Sequence, residues 1–133
     1  MQIKISKKSM AGFKAAAKKL SLSPELPDFT GVREDLALWL QAKYMLAVII
    51  EAGKDGKLHD ITNHSVTKYE PVHYAENGYV PGSSGGGFSY CDFGGGYGRS
   101  AVGARLSFNS PKECRENAEA YPDLWEIVTL NVR

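Results

Sequence analysis

The sequence predicts an α+β fold: a small antiparallel sheet of hairpins packed against three to four helices. Three observations predict it. Apolar residues recur at helical spacing over residues 10–20, 32–52 and 111–130. Between the second and third stretches, residues 68–108 change to two-residue alternation and hold most of the glycine. A chain of 133 residues with 43% hydrophobic composition is long enough for a core and short for two domains. Residues 1–133 therefore read as a single globular domain. It has a basic N-terminal strand-helix segment at 1–20 and a Gly/aromatic hairpin at 82–108.

The elements follow in order. Residues 1–6 alternate Gln2, Lys4 and Ser6 against Ile3 and Ile5, which predicts a short strand. Ser9 is placed to cap a helix starting at Met10. Met10, Phe13, Ala17 and Leu20 share one face of that helix, and Lys14 and Lys18 an adjacent one. Lys7 continues the lysine line if the helix starts earlier. Ser23-Pro24 and Leu26-Pro27 end the pattern, because a residue before proline is pushed out of the α region. Residues 21–31 are then a linker within the domain.

A second helix is expected over 32–52, with Glu34 and Asp35 complementing its dipole and Gly53 as its stop. Leu36, Trp39, Leu40, Tyr44, Ala47, Val48 and Ile50 give it the surface of a central buried helix. Its most apolar run, 36–50, covers 15 residues and is interrupted by Gln41 and Lys43. A bilayer span needs roughly 20, so a core helix is expected.

Asp55-Gly56 marks a turn, and residues 57–67 are ambiguous. Residues 68–76 predict a strand. Asn77-Gly78 predicts a type I′ hairpin turn, with Tyr79 and Val80 opening the return strand and Pro81 confining it to an edge. Phe88, Tyr90 and Asp92 alternate with Ser89, Cys91 and Phe93. Val102, Ala104, Leu106 and Phe108 alternate with Arg105 and Ser107. These two runs are expected to pair as one hairpin across 94–100. Ser110-Pro111-Lys112-Glu113 is a capping box with proline at the first helical position. Pro122 either kinks the helix that follows or starts another. Leu124, Trp125, Val128 and Leu130 supply the last apolar face.

The formal net charge of +1 conceals a division. Residues 1–20 hold six lysines (4, 7, 8, 14, 18, 19) and no acid, whereas the rest holds 10 basic and 15 acidic groups. Lys7, Lys14 and Lys18 form a ridge, with Lys8 and Lys19 near it, where a nucleic-acid duplex or an acidic protein could dock. The plainer alternative is a solvated face. The apolar face beside the ridge is small and alanine-rich, a poor membrane anchor.

Eight of the 14 glycines lie between Gly82 and Gly98, accompanied by Tyr79, Phe88, Tyr90, Phe93 and Tyr97. Exposed aromatics there could stack on unpaired bases, with Arg99 and Arg105 on phosphates. The alternation favours aromatics that face the core instead. Residues 94–100 superficially resemble a phosphate loop. However, Phe93 stands where its first glycine belongs, Arg99 replaces its lysine, and a strand pattern follows instead of a helix.

Catalytic and metal chemistry find little. Two cysteines are too few for a disulfide scaffold. His59, Asp60, His64, His73, Cys91 and Cys114 lack metal-ligand spacing. Cys91-Asp92 would need a histidine brought near to make a nucleophile, and a cysteine on an alternating strand is more often a small buried hydrophobe. Glu113 and Glu116 suit a helix start, and Glu119 a solvated face. No catalytic residue, metal or cofactor is expected.

The expectation is a non-enzymatic, small phage-type or mobile-element accessory protein that binds another macromolecule, a host or phage protein first. That type rests on size, a lysine-rich start and the lack of a catalytic set, not on a motif. The alternative is single-stranded nucleic-acid binding through the N-terminal lysines and hairpin aromatics. The candidate contact residues are Lys7, Lys14, Lys18, Tyr90, Phe93, Tyr97, Arg99 and Arg105. No apolar run follows the basic start, so no secretory signal is expected and the host cytoplasm is the expected compartment.

Overall fold

The first helix, α1 (Lys7–Lys19), begins at Ser6 and not at Ser9. In this computed structural model, which describes residues 3–57, 62–63, 65–82, 87–96 and 104–130, the Ser6 hydroxyl accepts the Ser9 amide at 3.1 Å. Ser9 is fully buried, and its own hydroxyl donates to Asp123 Oδ1 at 2.6 Å. Asp123 Oδ2 accepts the Ser6 amide at 2.8 Å. An acid from the far end of the chain thus sits at the positive end of α1 and takes up one of its orphan donors. That contact is why Ser9 is not free to cap. The expected strand at 1–6 does not form over residues 3–6. Ile3 and Ile5 pack into the core instead, with no strand partner among the described residues.

The long helix α2 (Glu34–Gly53) carries Glu34 and Asp35 in its first turn, and it buries Ala42, Met45, Leu46, Val48, Ile50 and Ala52. Phe13 of α1 meets Tyr44 edge-on, and Lys19 of α1 reaches the Ala52 carbonyl at 2.7 Å. The two helices therefore run in the same direction, and residues 20–33 carry the chain back between them. The apolar run understated α2. At 20 residues, with mean hydropathy 1.3 over an 18-residue stretch, it is long and apolar enough to cross a membrane. Here it packs against α1 and against α4 (Pro122–Leu130), whose Val128 carbonyl accepts Trp39 Nε1 at 3.3 Å.

The sheet consists of β1 (Lys68–Ala75) antiparallel to β2 (Phe88–Gly96). Three corrections follow. Asn77-Gly78 does form a turn, closed by the Tyr79 amide on the Glu76 carbonyl at 2.9 Å, but only Gly78 has positive φ (+77°). That is the type II pattern, which does not feed a two-residue hairpin. The return strand therefore starts at Phe88 and not at Tyr79.

Second, the partner of β2 is β1, not the described residues 104–108; residues 97–103 of the expected hairpin lie outside the described residues. The hairpin is 68–96, and Gly94, Gly95 and Gly96 lie opposite Glu70, Tyr69 and Lys68 as strand, not loop. The Tyr69 ring lies 3.9 Å from where a Gly95 side chain would begin, so it covers the glycine backbone. Third, Ala104–Leu106 is a 3-10 turn, and among the described residues of this segment only Phe108 bridges to the sheet, exchanging both backbone bonds with Tyr69. The next β1 residue facing that edge is Pro71, which has no amide hydrogen, so the third strand stops after one pair.

α3 (Pro111–Ala120) starts on Ser110, whose hydroxyl accepts the Glu113 amide at 3.2 Å. Glu113 Oε2 reaches back to the Asn109 amide at 3.2 Å, one residue beyond the reciprocal box. Pro122 starts α4, and Trp125 Nε1 donates to Asn117 Oδ1 of α3 at 2.8 Å. One core cluster gathers Phe13, Met45, Leu46, Phe108, Cys114, Leu124 and Trp125 from the helices and the sheet edge. The α+β class read from the sequence is the class the chain adopts.

Candidate functional site

Lys7, Lys14 and Lys18 fall on one line of α1 because seven and eleven residues are close to whole helical turns. All three are exposed, and the line extends about 16 Å at 1.5 Å per residue. Lys8 is exposed beside them, as are Ala11 and Ala15 between them. No acidic side chain lies within ion-pair distance of Lys7, Lys14 or Lys18 among the described residues. Lys19 differs. Its ammonium bonds the Ala52 carbonyl and pairs with Asp55 at 2.9 Å, clamping the end of α1 to the end of α2. Capping by Ser6 brings Lys7 into the helix and so into the row.

The hairpin arranges its aromatics differently from the simple alternation. Val72 pairs with Asp92 and His73 with Tyr90, so Cys91 is an extra residue in β2. This bulge shifts the alternation by one. Phe88, Tyr90 and Phe93 then lie opposite Ala75, His73 and Pro71, all on the face that carries Tyr69. That face turns inward. His73 lies flat against Phe88 (5.0 Å, 1°) and against Trp125 of α4 (5.7 Å, 24°), with Tyr90 edge-on at 6.1 Å. Tyr79 stacks on Phe88 at 6.3 Å, and its hydroxyl donates to Glu126 of α4, which also accepts the Gly82 amide at 3.0 Å. Tyr90 is half-buried against the core. Phe93 stands edge-on to Tyr69 at 5.4 Å and remains 39% exposed.

The candidate residues therefore separate into three groups. The lysines share one row of α1. Tyr90 and Phe93 share the inner sheet face, where only Phe93 keeps substantial exposure. Arg105 lies on the 3-10 turn and pairs with Glu51 of α2 at 3.6 Å, apart from both. Tyr97 and Arg99 lie outside the described residues, as do His59, Asp60 and His64.

Two titratable groups of the interior, His73 and Cys114, are disfavoured in their charged forms by burial. His73 Nε2 is buried with no hydrogen-bond partner among the described residues, and burial holds its pKa below the ordinary value. Burial, with Glu70 adding to it, pushes the Cys114 thiol up to about 12, so it is no thiolate at neutral pH. Among the described residues no three His, Cys, Asp or Glu side chains gather into a metal-binding group. Three placements carry no local signal: Asp123 at the start of α1, His73 within the aromatic cluster, and Lys54 bonded to Ser107. Each joins residues distant along the chain, and no local pattern announces such a contact.

Comparison of the chain with protein-family models, with curated proteins and with solved structures finds no match.

Proposed function

We propose that this is a non-enzymatic accessory protein of phage or mobile-element type, working in the host cytoplasm, that binds an acidic macromolecule along α1. A host or phage protein with an acidic surface is the partner the ridge fits first. One observation supports this reading above the others: the exposed row Lys7, Lys14 and Lys18 with no acidic partner among the described residues. A face kept only for solubility normally intersperses both signs of charge, whereas a single-sign strip steers an oppositely charged partner. Lysines held as flexible point charges suit an acidic surface without fixed geometry.

The single-strand reading draws on the same lysines but needs stacking platforms. Tyr90 is turned to the core and Arg105 is paired with Glu51, which leaves Phe93 as its described aromatic. The acidic protein is therefore the preferred partner.

The test immobilises the wild-type chain and a Lys7→Glu/Lys14→Glu/Lys18→Glu variant and captures from host lysate with and without nuclease. The expected result is an acidic protein held by the wild type after nuclease, released by salt near 1 M, where screening shortens the Debye length to about 3 Å, and not held by the variant. Retention abolished by nuclease would favour nucleic acid instead. Equal retention by the variant would overturn the ridge as the contact surface.

A further inference from the structure

The C-terminal end of α2 and one side of α3 enclose a groove of ≈ 290 Å³, lined by Ile49, Ile50, Phe108, Lys54, Glu113 and Glu116 among others. Its apolar wall includes two α2 residues, the bridge residue of the sheet edge, and Ala120 and Tyr121 at the end of α3. Its amine is Lys54, the residue that caps α2. The Lys54 ammonium nitrogen donates to the carbonyl oxygen of Ser107, a fully buried residue. Lys54 lines the groove, and that bond ties its ammonium to the residue preceding Phe108 of the groove wall, while Lys7, Lys14 and Lys18 are exposed. Burial disfavours the charged form more than nearby Glu113 restores it, and the pKa falls to about 8. An amine desolvated beside apolar side chains is a competent nucleophile, unlike a solvated ammonium.

We propose that Lys54 is a carbonyl-capturing site, where the Nζ amine adds to a small aldehyde with an apolar tail and forms a reversible imine. The step balances without a co-reactant. The nitrogen lone pair forms the C–N bond, and the carbonyl oxygen leaves as water with the two amine hydrogens. Hydrolysis reverses it. Ile49, Ile50 and Phe108 receive the tail. Glu113 and Glu116 place negative charge on the groove and disfavour an aldehyde that carries a carboxylate. The site uses no residue of the α1 ridge and stands independently of macromolecule binding.

The experiment treats the full chain at neutral pH with benzaldehyde and cyanoborohydride, which reduces the imine to a stable secondary amine, and quantifies each lysine by peptide mapping. Lys54 is expected to react about tenfold faster than Lys7, Lys14 and Lys18. Its neutral fraction is on the order of a hundredfold larger than that of a lysine with the ordinary pKa of about 10.4, offset in part by lower basicity. Urea is expected to level the rates. With glyoxylate in place of benzaldehyde the preference is expected to vanish. Equal rates in the folded chain, or a preference that survives urea, would overturn the site. Equal preference for glyoxylate would overturn the apolar-tail assignment.

Discussion

Phe13 and Phe93 make nearly the same contact in two different regions. Phe13 of α1 meets Tyr44 edge-on at 5.8 Å and 61°, and Phe93 of β2 meets Tyr69 edge-on at 5.4 Å and 73°. Yet Phe13 has no exposed surface, whereas Phe93 is 39% exposed. The ring pair itself is therefore not what distinguishes the helical half from the hairpin. The difference lies in what stands behind the ring: α2 and its neighbours close over Phe13, while the glycine end of β2 leaves Phe93 at a rim. Pair geometry contributes about 0.5–1.5 kcal/mol in either place, and burial supplies the larger part.

The largest expected effect tests that difference directly. Phe13→Ala is expected to cost about 3–5 kcal/mol, a fall in Tm of about 10 °C or more. Phe93→Ala is expected to cost about 1 kcal/mol or less. Thermal unfolding of both variants checks the pair, and equal losses would remove the distinction between core and rim.

A smaller effect concerns how tightly the helical half closes. Gly12 of α1 lies under Tyr121, where an added methyl group would stand 2.7 Å from the ring carbon Cε1 and closer still to the hydroxyl. Helix propensity alone predicts that Gly12→Ala stabilises by up to about 1 kcal/mol. The contact predicts the opposite sign, a net loss of about 1–2 kcal/mol from overpacking. Chemical denaturation reads the sign, and a stabilised variant would show that Tyr121 moves aside without cost.

The smallest expected effect lies where the two regions meet. His73 of the hairpin is packed on Trp125 of α4, and burial lowers its folded pKa below the ordinary 6.5. The unfolded chain then binds the proton more readily than the folded one. This contribution is fully present above the unfolded pKa and is lost as pH falls toward the folded value. His73→Phe is expected to flatten the decline of Tm between about pH 7 and pH 5. An unchanged slope would move the acid sensitivity to other groups.

The helices were largely legible. Periodicity located α2 to within two residues at its start, and the Ser110-Pro111 signal located α3. The hairpin was legible as strand but not as pairing. The alternation at 88–93 carries no information about which strand lies beside it, and Pro71 decides that Phe108 adds only a single bridge. Of the candidate contact surface, the lysine row was readable because it depends on one helix. The inward orientation of Tyr90 depends on His73 and α4, and the placement of Lys54 on Ser107, which is 53 residues away.

The sequence by itself determined the segregation of charge, the helical faces and the helix-starting signals. Each depends on residues within a few turns of one another, whose geometry the backbone imposes locally. Tertiary structure decided which face of β2 its aromatics occupy. An unbulged strand would set Phe93 opposite in sense to Phe88 and Tyr90, whereas the extra residue at Cys91 brings all three to one side. A bulge is a mismatch between two strands, so it has no existence until β1 lies beside β2. The same holds for Ser6 and Asp123: the start of α1 is set by a carboxylate 117 residues away, which only the folded chain brings within hydrogen-bond reach.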